Sequence, residues 1–302
     1  MQQKKLAPPN QLTRLADFFS ELEKADEQDL LITAQALILC GLPYRRMAAH
    51  HYIREAKTAH GTVRLTVGAM DPNTPLPYGK DRAVLAWVTT KAMQTGIPRV
   101  EWESAAEYLE TFGLDKGGFQ YRALQKSWER LAKATMLLEV VRDGEQNIRP
   151  CMIFERADLP TLRDKRDESE RRLTLLSGMR YGVELGRTLW ENLKAHPVPL
   201  PLRLMREFQD EPKAWDFAAF ISWRSYVCRE MGKTARISWQ ELLQQLGSVD
   251  KDHKQLRKSL KDVLRRLRAH WPELRADFLV GGTLEIRPPL HGVLPVQRKG
   301  NE

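Results

Sequence analysis

The stretch KDHKQLRKSLKDVLRRLR, Lys251–Arg268, sorts into two stripes when wound at 3.6 residues per turn. Leu256, Leu260, Val263, Leu264 and Leu267 fall on one stripe and form a core-facing pattern. Lys254, Arg257, Lys258, Lys261, Arg265 and Arg268 fall on another. A solvated helix face ordinarily mixes signs, because like charges at i,i+4 cost a few tenths of a kcal/mol each. Here only Asp252 and Asp262 interrupt the positive stripe. An anionic partner is the expected source of compensation.

The charge balance of the whole chain agrees. Its 302 residues carry a formal net charge of +9, which favours an anionic partner. Residues 1–160 hold 21 Lys+Arg against 20 Asp+Glu, and residues 161–302 hold 27 against 19, so nearly all the excess is C-terminal. The length suits two domains. The start, MQQKKLAPPN, lacks the apolar core of a signal peptide, and the apolar run Leu30–Leu42 is too short to span a bilayer. Cys40, Cys151 and Cys228 are odd in number and widely spaced, which predicts reduced thiols in a cytoplasmic protein with no disulfide framework.

An internal duplication organises the chain. RVEW (Arg99–Trp102) returns as RISW (Arg236–Trp239). Each is preceded by a Trp-bearing helical segment, Asp81–Gln94 and Trp215–Met231, and followed by a short amphipathic one, Glu103–Gly113 and Gln240–Gly247. A polar turn and a long basic helix come next, Phe119–Leu138 and Asp252–Trp271. In the first copy Arg122, Lys126, Arg130 and Lys133 share a face, broken by Glu129, while Leu124, Trp128, Leu131, Thr135 and Leu138 occupy another. The pattern then changes to period 2. Leu138–Glu155 reads as a hairpin around Asp143-Gly144, and Phe278–Ile286 as a shorter one around Gly281-Gly282.

Helix, short strand, helix, turn, helix, hairpin is the order of a winged helix, a helix-turn-helix followed by a two-stranded wing. The predicted fold is therefore mainly α with small β-hairpins (α+β): tandem, pseudo-duplicated winged-helix domains. Residues 1–40 read as a helical extension, 41–160 as domain 1, 161–172 as a charged connector, 173–290 as domain 2, and 291–302 as a disordered tail. Trp87, Trp102, Trp128, Trp223 and Trp239 are expected to mark the two cores and not to stack on bases.

Particular motifs carry a family resemblance. LPYGKDR (Leu76–Arg82) running into AVLAWVTTKAMQTG (Ala83–Gly96), with LPYRR (Leu42–Arg46) and LETFGLDKGGFQYRAL (Leu109–Leu124), resembles the plasmid-encoded RepA family of replication initiators. The resemblance is strongest over residues 40–160. It implies a protein that binds directly repeated sites in double-stranded origin DNA and helps open adjacent AT-rich sequence. It also implies recruitment of the host initiator and replicative helicase, dimerisation through the first winged helix, and repression of its own promoter. In that scheme the C-terminal unit makes most base contacts, and the N-terminal unit contacts backbone or a second copy.

The expected chemistry is binding without bond breaking. His253, Lys254, Arg257, Lys258 and Lys261 lie towards the N-terminus of the basic helix, where base edges are reached, and Lys251 just before it is a further DNA-binding candidate. Arg257 is suited to a bidentate guanine contact, worth about 1–3 kcal/mol of discrimination. Arg265 and Arg268 suit phosphates, Arg266 lies off the stripe, and Arg122, Lys126 and Arg130 form the weaker set on the first unit. A dimeric repressor would need the same helices. A rolling-circle nicking enzyme would need a metal-binding His-x-His pair, which His50-His51-Tyr52 lacks. A membrane-bound basic helix would leave the duplication unexplained. No P-loop and no Cys/His cluster occurs, so no cofactor, no metal, no membrane partner and no catalytic residue is expected.

Overall fold

The structure is a computed structural model and describes residues 30–58, 61–102, 104–159, 181–247 and 253–289. The described residues open with strand β1 (Leu30–Ala34), helix α1 (Gln35–Leu39) and the long hairpin of β2 (His51–Thr58) and β3 (Gly61–Ala69). A first unit follows: α2 (Asp81–Thr95), β4 (Arg99–Trp102), α3 (Ala106–Thr111) and α4 (Gly118–Ala132). Next come β5 (Ala134–Arg142), β6 (Glu145–Met152), β7 (Phe154–Asp158) and β8 (Tyr181–Leu185). After α5 (Arg187–Ala195), β9 (Pro197–Pro201) and α6 (Leu202–Glu207) stands the second unit. It comprises α7 (Pro212–Met231), β10 (Ala235–Ile237), α8 (Trp239–Gln245), α9 (His253–His270), β11 (Ala276–Phe278) and β12 (Leu284–Ile286).

The expected α+β class and the repeat are both present, and strand register makes the equivalence exact enough to assign a wing to each unit. In the second unit the sheet order is β10-β12-β11, with Arg236 opposite Glu285 and Ile237 opposite Leu284. In the first it is β4-β8-β7, with Arg99 opposite Glu184 and Val100 opposite Val183. The same Arg–Glu and apolar–apolar pairs thus recur between the first and last strands. The opening helices of the two units end alike, on left-handed Gly96 and Gly232, a conformation that costs glycine little.

This pairing corrects the expected first wing. The hairpin around Asp143-Gly144 exists, but it extends the four-stranded sheet β2-β3-β5-β6. The first unit's own wing strands are β7 and β8, so the expected boundary at 160 falls between two partners in one sheet. The connector 161–172, the tail 291–302 and residues 1–29 of the extension lie outside the described residues. Two helix expectations also change. Helix α4 stops at Ala132, and Thr135 and Leu138 lie in β5. Leu30–Ala34 is a strand buried on both faces, a pattern that periodicity does not separate from a buried helix.

Strand β9, PVPLP, shows how a proline-rich strand is tolerated. Pro197, Pro199 and Pro201 stand opposite Ala34, Ile32 and Leu30. At Ile32, opposite Pro199, the backbone turns to α2 instead. Its amide donates to Thr90 Oγ1 (2.7 Å), and its carbonyl accepts from the Thr89 hydroxyl (2.5 Å). The alternating prolines occupy positions where a ladder N–H is not required.

The first unit's core is aromatic. Trp102 and Trp128 stack at 4.6 Å between ring centres, and Trp87 meets both edge-on at about 6 Å. Trp223 is also buried, whereas Trp239 is only half-buried. Helices α2 and α7 are buried around most of their circumference, whereas α4 and α9 each keep one solvent face. Among the described residues no helix is long and apolar enough to cross a membrane.

The two units are joined by buried charge. Asp216 of α7 accepts from Arg54 Nη1 of β2 at 2.8 Å, and Arg82 Nε lies 2.8 Å from its other oxygen. The Arg82 contact is off the hydrogen-bond line and acts through charge. Arg54 further donates to the Gln245 carbonyl (2.7 Å) and the Tyr44 hydroxyl (3.1 Å), while Arg82 donates to the carbonyls of Gly79 (2.6 Å) and Leu42 (2.7 Å). Burial opposes the Arg54 charge, but Tyr44, Asp216 and Tyr52 outweigh it and hold its pKa above the ordinary value.

Removing Asp216 strands two buried guanidiniums. Asp216→Ala is expected to lose about 3–5 kcal/mol of stability in denaturant titration. The triple replacement Arg54→Met, Arg82→Met, Asp216→Leu should recover most of that loss, since well-packed apolar groups often match a buried ionic cluster.

Candidate nucleic-acid interface

Helix α9 is the most strongly amphipathic segment of the second unit. Its five stripe residues Leu256, Leu260, Val263, Leu264 and Leu267 are buried, as their spacing predicts. Packing places α9 on α7 and against β11. The opposite face therefore points to solvent, and the positive stripe lies on it.

The structure divides that stripe in two. Lys254, Lys258 and Lys261 are exposed and form no ion pair with any described residue. Arg265 is 75% exposed and, among the described residues, pairs only with Asp262 of its own helix, at 2.7 Å. Positions nearer the core edge are occupied otherwise. Arg257 is half-buried, with its guanidinium carbon 4.8 Å from the centre of the Trp239 ring, and it fills the space where a Cβ at Gly282 would stand. Arg268 binds the Ala276 carbonyl and the Asp277 carboxylate at the start of the wing. Arg266 is clamped to Glu207 (2.7 Å) and Glu211 (2.8 Å) and covers the Phe208 ring. His253 is exposed, its ring 6.4 Å from that of Trp239, and Lys251 lies outside the described residues.

Arginine and lysine have been sorted by their chemistry. The planar guanidinium pairs bidentately and covers aromatic faces, so it suits joints between elements. The ammonium group is compact and strongly hydrated, and the lysines are left in water. The wing adds an apolar tip: Val280 is fully exposed beside Leu279, in a turn closed by Leu279 N donating to Thr283 O at 2.8 Å.

On the first unit, α4 exposes Arg122 and Lys126 with no ion pair among the described residues. Phe119, at the start of that helix, is 72% exposed. Arg130 departs from expectation. It donates through Nε and Nη2 to both oxygens of fully buried Asp81, at 2.7 and 2.6 Å, and covers the Tyr78 ring. Its charge is committed to Asp81 and is withdrawn from the stripe. Lys133 is likewise tied to Asp71 and Glu129, each at 2.9 Å.

Tyr44 of LPYRR and Asp81 and Arg82 of LPYGKDR emerge as joints that periodicity does not reveal. Tyr44 donates to the Leu246 carbonyl at 2.6 Å, burial having pushed its phenol pKa up. Asp81 and Arg82 begin α2 and anchor α4 and α7 respectively. Burial also pushes the Cys40 thiol to about 12 and that of Cys151 to about 11, so neither supplies a ready thiolate. Among the described residues no group of three His, Cys, Asp or Glu side chains is placed to hold a metal ion.

No protein-family model matches the chain. No curated protein matches its sequence. In fold it is similar to a crystal structure of domains 2 and 3 of RctB, at a TM-score of 0.52 and 11% identity, over 83% of this chain and 95% of that one. A second crystal structure of RctB domains 2–3 matches at 11% identity and a TM-score of 0.43, over 83% and 94% of the two chains. At such identity the likeness is one of fold.

Arg130→Ala leaves a buried carboxylate without its partner and is expected to cost about 3–5 kcal/mol. Lys126→Ala, one turn away in solvent, should change stability by less than about 0.5 kcal/mol. Paired urea denaturation curves check both, and equal effects would remove the structural role given to Arg130.

Proposed function

We propose that the chain is a replication initiator whose second winged-helix unit binds duplex origin DNA through the solvent face of α9. The observation that carries this reading is the row Lys254, Lys258, Lys261 and Arg265, exposed on a helix whose other face is fully packed. Four cations at intervals of four, three and four residues form a continuous strip, and the described residues give it only Asp262 as an anion. Phosphates neutralise such a strip and release counterions in doing so. The fold likeness to two domains of RctB, a replication initiator, supports the same reading.

Within it, Lys254, Lys258 and Lys261 enter the groove or its edges, and Arg265 holds backbone. Arg257 sits between α9, Trp239 and the wing turn, a position from which it orients the wing relative to the helix. Arg122 and Lys126 of α4 supply the weaker contacts of the first unit. The resemblance of LPYRR, LPYGKDR and the segments after them to plasmid-encoded RepA initiators, a family that no matching family model supports here, is what suggests directly repeated sites, origin opening and recruitment of the host initiator and helicase. Dimerisation through the first unit and autorepression belong to the same proposal.

Lys258→Glu/Lys261→Glu is expected to abolish binding to a duplex carrying the DNA that flanks the gene, with an unchanged circular dichroism spectrum and Tm. Intact footprinting by that variant would falsify the assignment of α9. A plasmid whose sole origin is the gene with its flanking DNA should replicate in a suitable host. Failure there, with binding retained, would point to a repressor.

A further inference from the structure

The loop between α1 and β2 carries a motif that the α9 interface leaves unused. Residues 44–52 read YRRMAAHHY and contain no acidic side chain. Both flanking tyrosines abut the second unit at one place. Tyr44 donates to the carbonyl of Leu246, and the Tyr52 hydroxyl lies 2.8 Å from where a Cβ on Gly247 would sit. Leu246 and Gly247 follow directly on α8 and are the last described residues before α9. The near end is held further by Gly79 N donating to the Pro43 carbonyl (3.0 Å) and by Arg82 donating to the Leu42 carbonyl. Arg45 and Arg46 follow this anchor. Both are exposed, and neither forms an ion pair with any described residue.

We infer that Arg45 and Arg46 are DNA-backbone contacts lent by the α1–β2 loop to the second unit, flanking the recognition helix at its N-terminal end. This rests on the reading of α9 as that helix. When a helix-turn-helix puts the N-terminal part of its second helix on base edges, the turn before that helix lies at the edge of the groove, beside the phosphates. A loop pinned to the residues entering that turn carries its side chains to the same place. Two guanidiniums without carboxylate partners suit phosphate oxygens through charge-assisted hydrogen bonds. The contact carries no sequence information, so its signature is electrostatic.

The test uses the full chain and a fluorescent random-sequence duplex, with affinity measured between 50 and 200 mM salt. Each phosphate contact contributes about 0.9 to the slope of log affinity against log salt. For Arg45→Ala/Arg46→Ala the slope should fall by about 1.8, so that a fourfold rise in salt weakens the variant about tenfold less than the wild type. Arg45→Lys/Arg46→Lys should keep the wild-type slope, and the Tm of both variants should be unchanged. An unaltered slope in the alanine variant overturns the inference and leaves an acidic protein partner as the occupant of the loop. Loss of slope in the lysine variant equal to that of alanine also overturns it. A wild-type chain that does not bind duplex DNA at all overturns the reading of α9, and the inference with it.

Discussion

A single carboxylate, Asp216, governs how the two halves of this chain meet. It stands on α7, the helix that the second unit buries most completely, and faces guanidiniums from β2 and from the start of α2. Gly41 is there because a Cβ would lie 2.6 Å from the carboxylate. One negative and two positive charges leave the cluster cationic, and the surplus is spread over carbonyls and a phenol. The Arg54 Nε–H and both of its Nη groups find acceptors, two of which, Gln245 O and Tyr44 Oη, lead to the end of α8. The carbonyls at a helix C-terminus lack partners within the helix and carry partial negative charge. Arg54 therefore serves as a cap, supplied by β2, on the first helix of the second unit's helix-turn-helix.

Burial and pairing run together at three arginines of α4 and α9. Arg130 is 13% exposed against a carboxylate that is fully buried, Arg266 is 20% exposed between two glutamates, and Arg265 at 75% keeps only a same-helix aspartate. Desolvating an unpaired cation is costly, so burial favours a partner, an ion pair or, for half-buried Arg257, the Trp239 ring, and solvated positions can keep charge in reserve for a ligand. A basic stripe counted from sequence thus overstates the surface on offer. On α9 the reserve is three lysines and one arginine. On α4 it is Arg122 and Lys126.

What was legible in the sequence is what depends on local period. The limits of α2 and α9 to within a residue, the C-terminal end of α7, the buried leucine stripe and the wing at Gly281-Gly282 all follow from spacing and turn residues. What was not legible depends on pairing across the chain. Asp143-Gly144 announces a hairpin correctly, but a turn signal does not say which sheet the hairpin joins, and β3 claimed it. The true first wing needed β8, which pairs with β4 from about eighty residues away. The partners of Arg130 and Arg266 lie 49 and 59 positions distant, and only the off-stripe position of Arg266 hinted at one. The arginines of LPYRR read as part of a motif and not as a surface, because nothing local links residue 45 to residue 246.

The buried cluster has a consequence for the proposed DNA interface that packing alone would not supply. Apolar contact between the first unit's sheet and α8 would tolerate sliding by an ångström or two, since dispersion is non-directional and individually weak. Hydrogen bonds from one guanidinium to a named carbonyl, a named carboxylate and a tyrosine that itself grips the next carbonyl do not tolerate it. The angle at which α8, and with it α9, leaves the first unit is therefore set by directional bonds made in the interior. On the proposed reading, two helices held in that way would address DNA as one rigid reader, with a spacing that belongs to the protein. A cationic loop pinned at the same joint moves with the second helix-turn-helix although it is encoded some two hundred residues before it.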